Sequence, residues 1–164
     1  MTRRWTRALF AAAIVACVLV ALPRARPAPW LVNETPSLPE GVYLRTAAVP
    51  APGAIVAVAP PASARLYLAG LGAPAGARLL KRVAAGPGEV VCREGQRLSW
   101  SRGEVAALSR DRRGSALPGW RGCRRLGRDE FVVLGDTPTS FDSRYFGPIR
   151  RAAIEGVYVE VWRW

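Results

Sequence analysis

The sequence predicts a mainly β domain behind a single N-terminal membrane helix. Two observations predict it. One apolar run near the start is framed by arginines, and everything after it is a series of short strands broken by proline and glycine. The 164 residues carry 14 Pro and 16 Gly, and half are apolar, so one folded domain with an appendage fits the length. No repeat and no second folded unit is evident.

Residues 1–7 form a basic cytoplasmic N-terminus with Arg3, Arg4 and Arg7. Residues 8–23 form the anchor. Its uninterrupted apolar stretch spans only about 22 Å at roughly 1.5 Å per residue. Counting from Trp5 to Pro23 gives roughly 28 Å, close to a hydrocarbon core of about 30 Å. Trp5 suits the interface, and arginine stems can snorkel at both ends. A cleaved signal peptide would have the same basic start, yet Pro23 and Arg24 close the run where a small-x-small site would be needed. A lipoprotein signal ending at Cys17 fits poorly, because five apolar residues follow that cysteine. The excess of arginine before the span favours a cytoplasmic N-terminus and sends residues 24–164 outward. There, Cys92 and Cys123 form either a disulfide or two buried free thiols.

In the outer domain, residues 41–45, 54–59, 65–69, 78–84, 89–92, 130–134 and 154–162 read as strands. The last is clearest. Val157, Val159 and Val161 alternate with Tyr158, Glu160 and Trp162, the period of a half-buried strand. Turn residues cluster at 50–53, 60–63, 70–76 and 86–88. No amphipathic helix of useful length is read outside the anchor. Residues 101–128 are polar, arginine-rich and irregular, as in an inserted hairpin or surface loop.

Composition excludes much chemistry. With no histidine there is no Ser-His-Asp triad, no Cys-His dyad and no histidine metal site. Three cysteines fall short of a four-cysteine zinc site. No phosphate-binding loop matches, and Gly70, Gly72 and Gly76 are wrongly spaced for a dinucleotide fold. The formal charge of +12 raises nucleic-acid binding, but the arginines are scattered and no binding motif appears. No metal or cofactor is implied.

The basic residues are the most telling. Of 24, all but one are arginine, and the exception is Lys81. Guanidinium is effectively never deprotonated, whereas a buried ammonium can be. A lone lysine among arginines is therefore either a position where a neutral amine has a use or a chance leftover on a surface strand. Strand alternation places Leu79 and Val83 on its face and Arg82 on the other.

Three segments surround this residue in chain order. Asn33-Glu34-Thr35-Pro36-Ser37-Leu38-Pro39-Glu40-Gly41-Val42-Tyr43 holds a serine between two prolines in a stiff extended loop. Leu79-Leu80-Lys81-Arg82-Val83 leads into Gly86-Pro87-Gly88-Glu89. The third runs from Gly135-Asp136 through Ser140-Phe141-Asp142-Ser143-Arg144-Tyr145-Phe146-Gly147-Pro148.

With these segments in this order the chain resembles the Ser/Lys type I signal peptidases. It is most similar to their conjugative-transfer branch, the TraF-type maturation proteases. The resemblance implies a signal-peptidase-like β domain and a serine endopeptidase. It makes Ser37 the nucleophile, Lys81 the general base, Thr35 an oxyanion donor and Ser140 the hydroxyl that orients the lysine. It assigns structural support to Asp136 and to an Asp142–Arg144 ion pair. Lysine ordinarily titrates near 10.4, so the mechanism demands a lowering of about three pH units through burial. The substrate implied is a leader-bearing precursor, a pilin-like subunit of a conjugation or type IV secretion apparatus. The place implied is the outer face of a bacterial inner membrane, in contact with lipid.

The sequence departs from the broader family at Leu38 after the serine, at Thr137 after Gly-Asp and at Glu89 in the Pro-Gly turn. The serine-loop change, with Pro39-x-Gly41-x-Tyr43, favours the conjugative branch. A housekeeping signal peptidase or a non-catalytic assembly scaffold are the competing expectations.

Overall fold

The computed structural model describes residues 29–164. The predicted anchor lies outside the described residues. Among those described, no helix is long and apolar enough to cross a membrane.

Two antiparallel sheets make up the domain. The larger has seven strands: β1 (Trp30–Asn33), β2 (Gly41–Thr46), β3 (Ile55–Val58), β4 (Leu79–Ala85), β9 (Glu130–Leu134), β10 (Ile149–Arg150) and β11 (Ile154–Arg163). Their spatial order is β1-β2-β11-β3-β4-β9-β10. The smaller contains β5 (Val90–Glu94), β6 (Arg97–Trp100), β7 (Gly103–Ala106) and β8 (Gly122–Arg125), in the order β7-β6-β5-β8.

Burial alternates along β4 at Lys81, Val83 and Ala85, as read; on β11 it does not, because Val157 and Tyr158 are both buried while Val159 and Val161 are exposed. On β3, Val56 pairs with Lys81 of β4 and Val157 of β11. Val56, Val58, Val83, Val133, Ile149 and Val157 build the main core, with Leu79 packed against it. A second cluster of Val91, Leu98, Leu126 and Val132 joins the small sheet to β9. The long strand β11 bends at a bulge between Glu160 and Trp162, where it crosses β2. Gly41 permits that crossing, since a Cβ there would lie 2.0 Å from the Trp162 carbonyl oxygen.

Two other expectations need correction. Residues 65–69 are not a strand but part of helix α1 (Ala62–Gly70). Its buried residues are Ala64 and Leu68, one turn apart, while Leu66 between them is 87% exposed. Pro61 starts the helix in extended geometry, and alanine and leucine carry it on. An apolar run this short has no periodicity that separates helix from strand. Residues 101–128 are also less irregular than read, because β7 and β8 flank the loop.

In the small sheet, Cys92 and Cys123 stand directly opposite each other on β5 and β8, and a disulfide joins them. Helix α2 (Ser143–Phe146) is a single turn capped by Asp142, whose carboxylate accepts the Arg144 backbone N–H.

Candidate active site

The serine loop connects β1 to β2, and the Asn33 side chain shapes it. The buried amide Nδ2 donates to three loop carbonyls, Thr35 at 2.8 Å, Leu38 at 3.0 Å and Pro39 at 3.0 Å. Oδ1 accepts the Thr35 hydroxyl at 2.9 Å. Tyr43 donates its hydroxyl to the Pro39 carbonyl at 2.7 Å, and Leu38 is sunk in the interior. These contacts hold Ser37 in a fixed, nearly buried position. Its Oγ lies 3.3 Å from Thr35 Oγ1. Sequence reasoning gave Asn33 no role; an Asn ahead of a proline-rich loop is the signal that marks it, because Asx side chains cap turns.

Lys81 projects from the middle of β4 and is only 3% exposed. Burial pushes its amine down from 10.5 to about 8. The carboxylates of Asp142 and Asp136 oppose this, and the Arg144 charge adds to it. Both acids are already engaged by arginine. Asp142 pairs with Arg144 at 2.9 Å, and Asp136 pairs with Arg82 at 2.8 Å. Every ion pair among the described residues uses arginine, and none uses Lys81. The lysine is therefore desolvated without a counter-ion, the condition under which an amine gives up its proton most readily.

A buried frame supports this face. The Arg144 guanidinium donates to both Asp142 oxygens and to the carbonyls of Pro138 at 2.8 Å, Gly135 at 2.9 Å and Thr137 at 3.0 Å. Asp142 in turn accepts the Gly135 backbone N–H at 2.8 Å. One arginine thus folds residues 135–142 around itself. The frame meets the serine loop directly, since the Asp136 backbone N–H donates to the Ser37 carbonyl at 2.6 Å. Ser140 sits in the same frame, buried, and its Oγ has no hydrogen-bond partner. An unpaired buried hydroxyl costs about 1–3 kcal/mol.

A cavity of about 460 Å³ opens over these groups, lined by Thr35, Ser37, Leu79, Leu80 and Lys81 among others. Of the sequence-predicted residues, Ser37, Thr35 and Lys81 line one space. Ser140 lies behind it against Gly135, where a Cβ would come within 2.2 Å of its Oγ. Asp142 and Arg144 are buried, whereas the Asp136–Arg82 pair is half exposed. In the structure Ser37 Oγ is partnered by Thr35 rather than by the lysine amine. Catalytic contacts commonly tighten only in the complex with substrate. Among the described residues, no group of three or more His, Cys, Asp or Glu side chains is placed to hold a metal ion.

A family model described as signal peptidase, peptidase S26, matches residues 2–164. Two plasmid transfer proteins TraF from Escherichia coli are similar over most of their length. One is 35% identical over 149 residues and the other 34% over 146, each match covering 81% of this chain and 82% of the relative. A signal peptidase I from Enterococcus faecalis, known from a crystal structure, is 26% identical, with 68% of this chain and 98% of that one covered and a TM-score of 0.41.

Proposed function

The chain belongs to the peptidase S26 signal peptidase family, and from that premise we propose that it is a membrane-anchored serine endopeptidase that cuts leader peptides from exported precursors. The observation that carries this reading is the buried, unpaired Lys81 sharing one cavity with Ser37. At pH 7 an amine titrating near 8 is neutral in about one molecule in ten, against roughly one in 3,000 at 10.5.

In the proposed reaction Ser37 Oγ attacks the scissile carbonyl while its proton passes to Lys81 Nζ. The oxyanion that forms is met by the Ser37 backbone N–H and by Thr35 Oγ1, which turns its proton away from Asn33. Such a donor contributes about 100- to 1,000-fold in rate. Collapse of the intermediate expels the new amino terminus, which takes the proton from the Lys81 ammonium. Water, deprotonated by Lys81, then releases the acyl group from Ser37. The unpartnered Ser140 Oγ accepts from the lysine amine and aims it. Asp142 and Arg144 hold Ser140 in place, and Asp136 holds Ser37 through its backbone.

The relatives named for plasmid transfer support a conjugative setting, with a pilin-like precursor as substrate. The Cys92–Cys123 disulfide suits an outward-facing, oxidising compartment. Contact with lipid is supported at the β1-β2-β11 end of the large sheet. There, Trp30, Leu44 and Val159 lie in one cross-strand row, beside Val32 and Trp162, and all five are exposed. Tryptophan in such a patch suits the membrane interface.

The test is cleavage of a leader-bearing precursor by the full chain and by Ser37→Ala and Lys81→Arg variants. Both variants are expected to fold and to leave the precursor uncut. Full activity of Lys81→Arg rejects the lysine as base, because arginine cannot supply a neutral nitrogen.

A further inference from the structure

Between β3 and β4 the chain leaves the sheet and forms α1 and a loop of Leu-Gly-Ala-Pro-Ala-Gly-Ala-Arg, residues 71–78. Together they enclose a second cavity of about 540 Å³, larger than the one over Ser37. Its lining is small and apolar, with Ala69 on the helix and Ala73, Pro74 and Ala75 on the loop. Leu66 stands at its rim, 87% exposed. Pro74 and Arg78 line both cavities, so the two adjoin.

Three charged residues border this groove: Arg65, Arg78 and Glu155. Arg78 and Glu155 neutralise each other in an ion pair. Arg65 donates only to the Pro60 carbonyl, and no carboxylate pairs with it among the described residues. The groove is thus apolar with one uncompensated positive charge on its wall. Its volume falls in the range of about 300–1,000 Å³ typical of built binding sites.

We infer that this groove is a specificity subsite that takes a segment of the precursor beyond the residues flanking the cut, a segment that is apolar and carries an acidic side chain for Arg65. The inference rests on the peptidase reading. Neither Ser37 nor Lys81 lines the groove, so contacts made in it do not touch the reacting groups. They discriminate one precursor from another with the same residues around the cut.

The probes are fluorogenic peptides sharing one cleavable core with alanine at the first and third positions before the cut. One stops after about three residues on each side, a reach of roughly 10 Å in extended chain. The others extend each side in turn with an Ala/Leu segment bearing either Asp or Lys. The enzymes are the full chain and its Ala69→Trp, Arg65→Glu and Ser37→Ala variants. Ala69 and Arg65 are both exposed on α1, so neither change disturbs the core.

The expected result is that Ala69→Trp raises KM for the extended Asp peptide about tenfold and leaves the short peptide unchanged, as loss of remote uniform binding does. The wild type prefers Asp over Lys by about three- to fivefold, the scale of an exposed ion pair. Arg65→Glu reverses that preference. Equal handling of all extended peptides by the wild type and both groove variants, with Ser37→Ala inactive, overturns the groove and leaves the peptidase standing. Cleavage by Ser37→Ala, or none by the wild type, overturns both.

Discussion

Lys81→Met removes the amine and keeps the length of the side chain, and its effect on stability should depend on pH in a specific way. Folding takes Lys81 into an apolar site where it titrates at about 8 instead of 10.5. At about 1.36 kcal/mol per pH unit of displacement, the buried ammonium costs the fold about 3 kcal/mol. Below about pH 8 both folded and unfolded chains keep the proton, so the cost is paid in full. Between 8 and 10.5 the folded chain releases the proton while the unfolded chain still holds it, and the cost shrinks. Above 10.5 neither holds it and the cost is gone. Lys81→Met should therefore be more stable than wild type by about 3 kcal/mol at pH 7, falling below half of that by pH 9.5. Urea unfolding of the full chain in detergent, with the disulfide intact, measures the difference at each pH. Titrating tyrosines affect both proteins equally and cancel. A gap that stays constant from pH 7 to 9.5, or a variant weaker than wild type throughout, would refute the claim that the amine is held in a site that resists its charge.

Other outcomes follow from the same site. Because the base must be neutral, kcat/KM for a cleavable peptide should climb about tenfold per pH unit up to about 8 and level off above it; a profile flat from 6 to 9 contradicts the role given to Lys81. Gly135→Ala would put a methyl 2.2 Å from Ser140 Oγ and 2.8 Å from the Ser37 carbonyl, so activity should fall about 100-fold while urea unfolding still shows a cooperative fold. Arg144→Ala strands the buried Asp142 carboxylate and should cost about 3–5 kcal/mol, read from the urea midpoint. Replacing both Cys92 and Cys123 by alanine opens a loop of sequence separation 31, and calorimetry should show roughly 3 to 4 kcal/mol less stability with catalysis retained.

Much of the site was legible because its chemistry leaves compositional marks. A lone lysine among arginines, flanked on its strand by Leu79 and Val83, was visible without coordinates. So was β11, whose alternation of valines with larger residues has no helical counterpart. The disposition of Asp142 and Arg144 was legible only through family resemblance, since an acid and an arginine two residues apart equally suit a solvated loop. The carbonyls that Arg144 collects are backbone groups, and no side-chain pattern announces them. Asn33 escaped for the same reason, as its partners are carbonyls of its own loop. Helix α1 was misread because five residues of mixed size fit either period, and the fact that decides it, which face meets the core, lies in the tertiary packing. Strand β8 is exposed at every position, so it has no alternation to detect.

The use of arginine for every ion pair leaves the described domain with a single primary amine. That amine titrates far below ordinary lysine, so at mild alkalinity it should react with acylating reagents as readily as a chain terminus. A label added to the folded protein would then land on Lys81 and on the amino terminus, and the Lys81→Met variant, which keeps only the terminus, supplies the background to subtract. Shielding of that label by a bound precursor would give a direct readout of occupancy, independent of any cut.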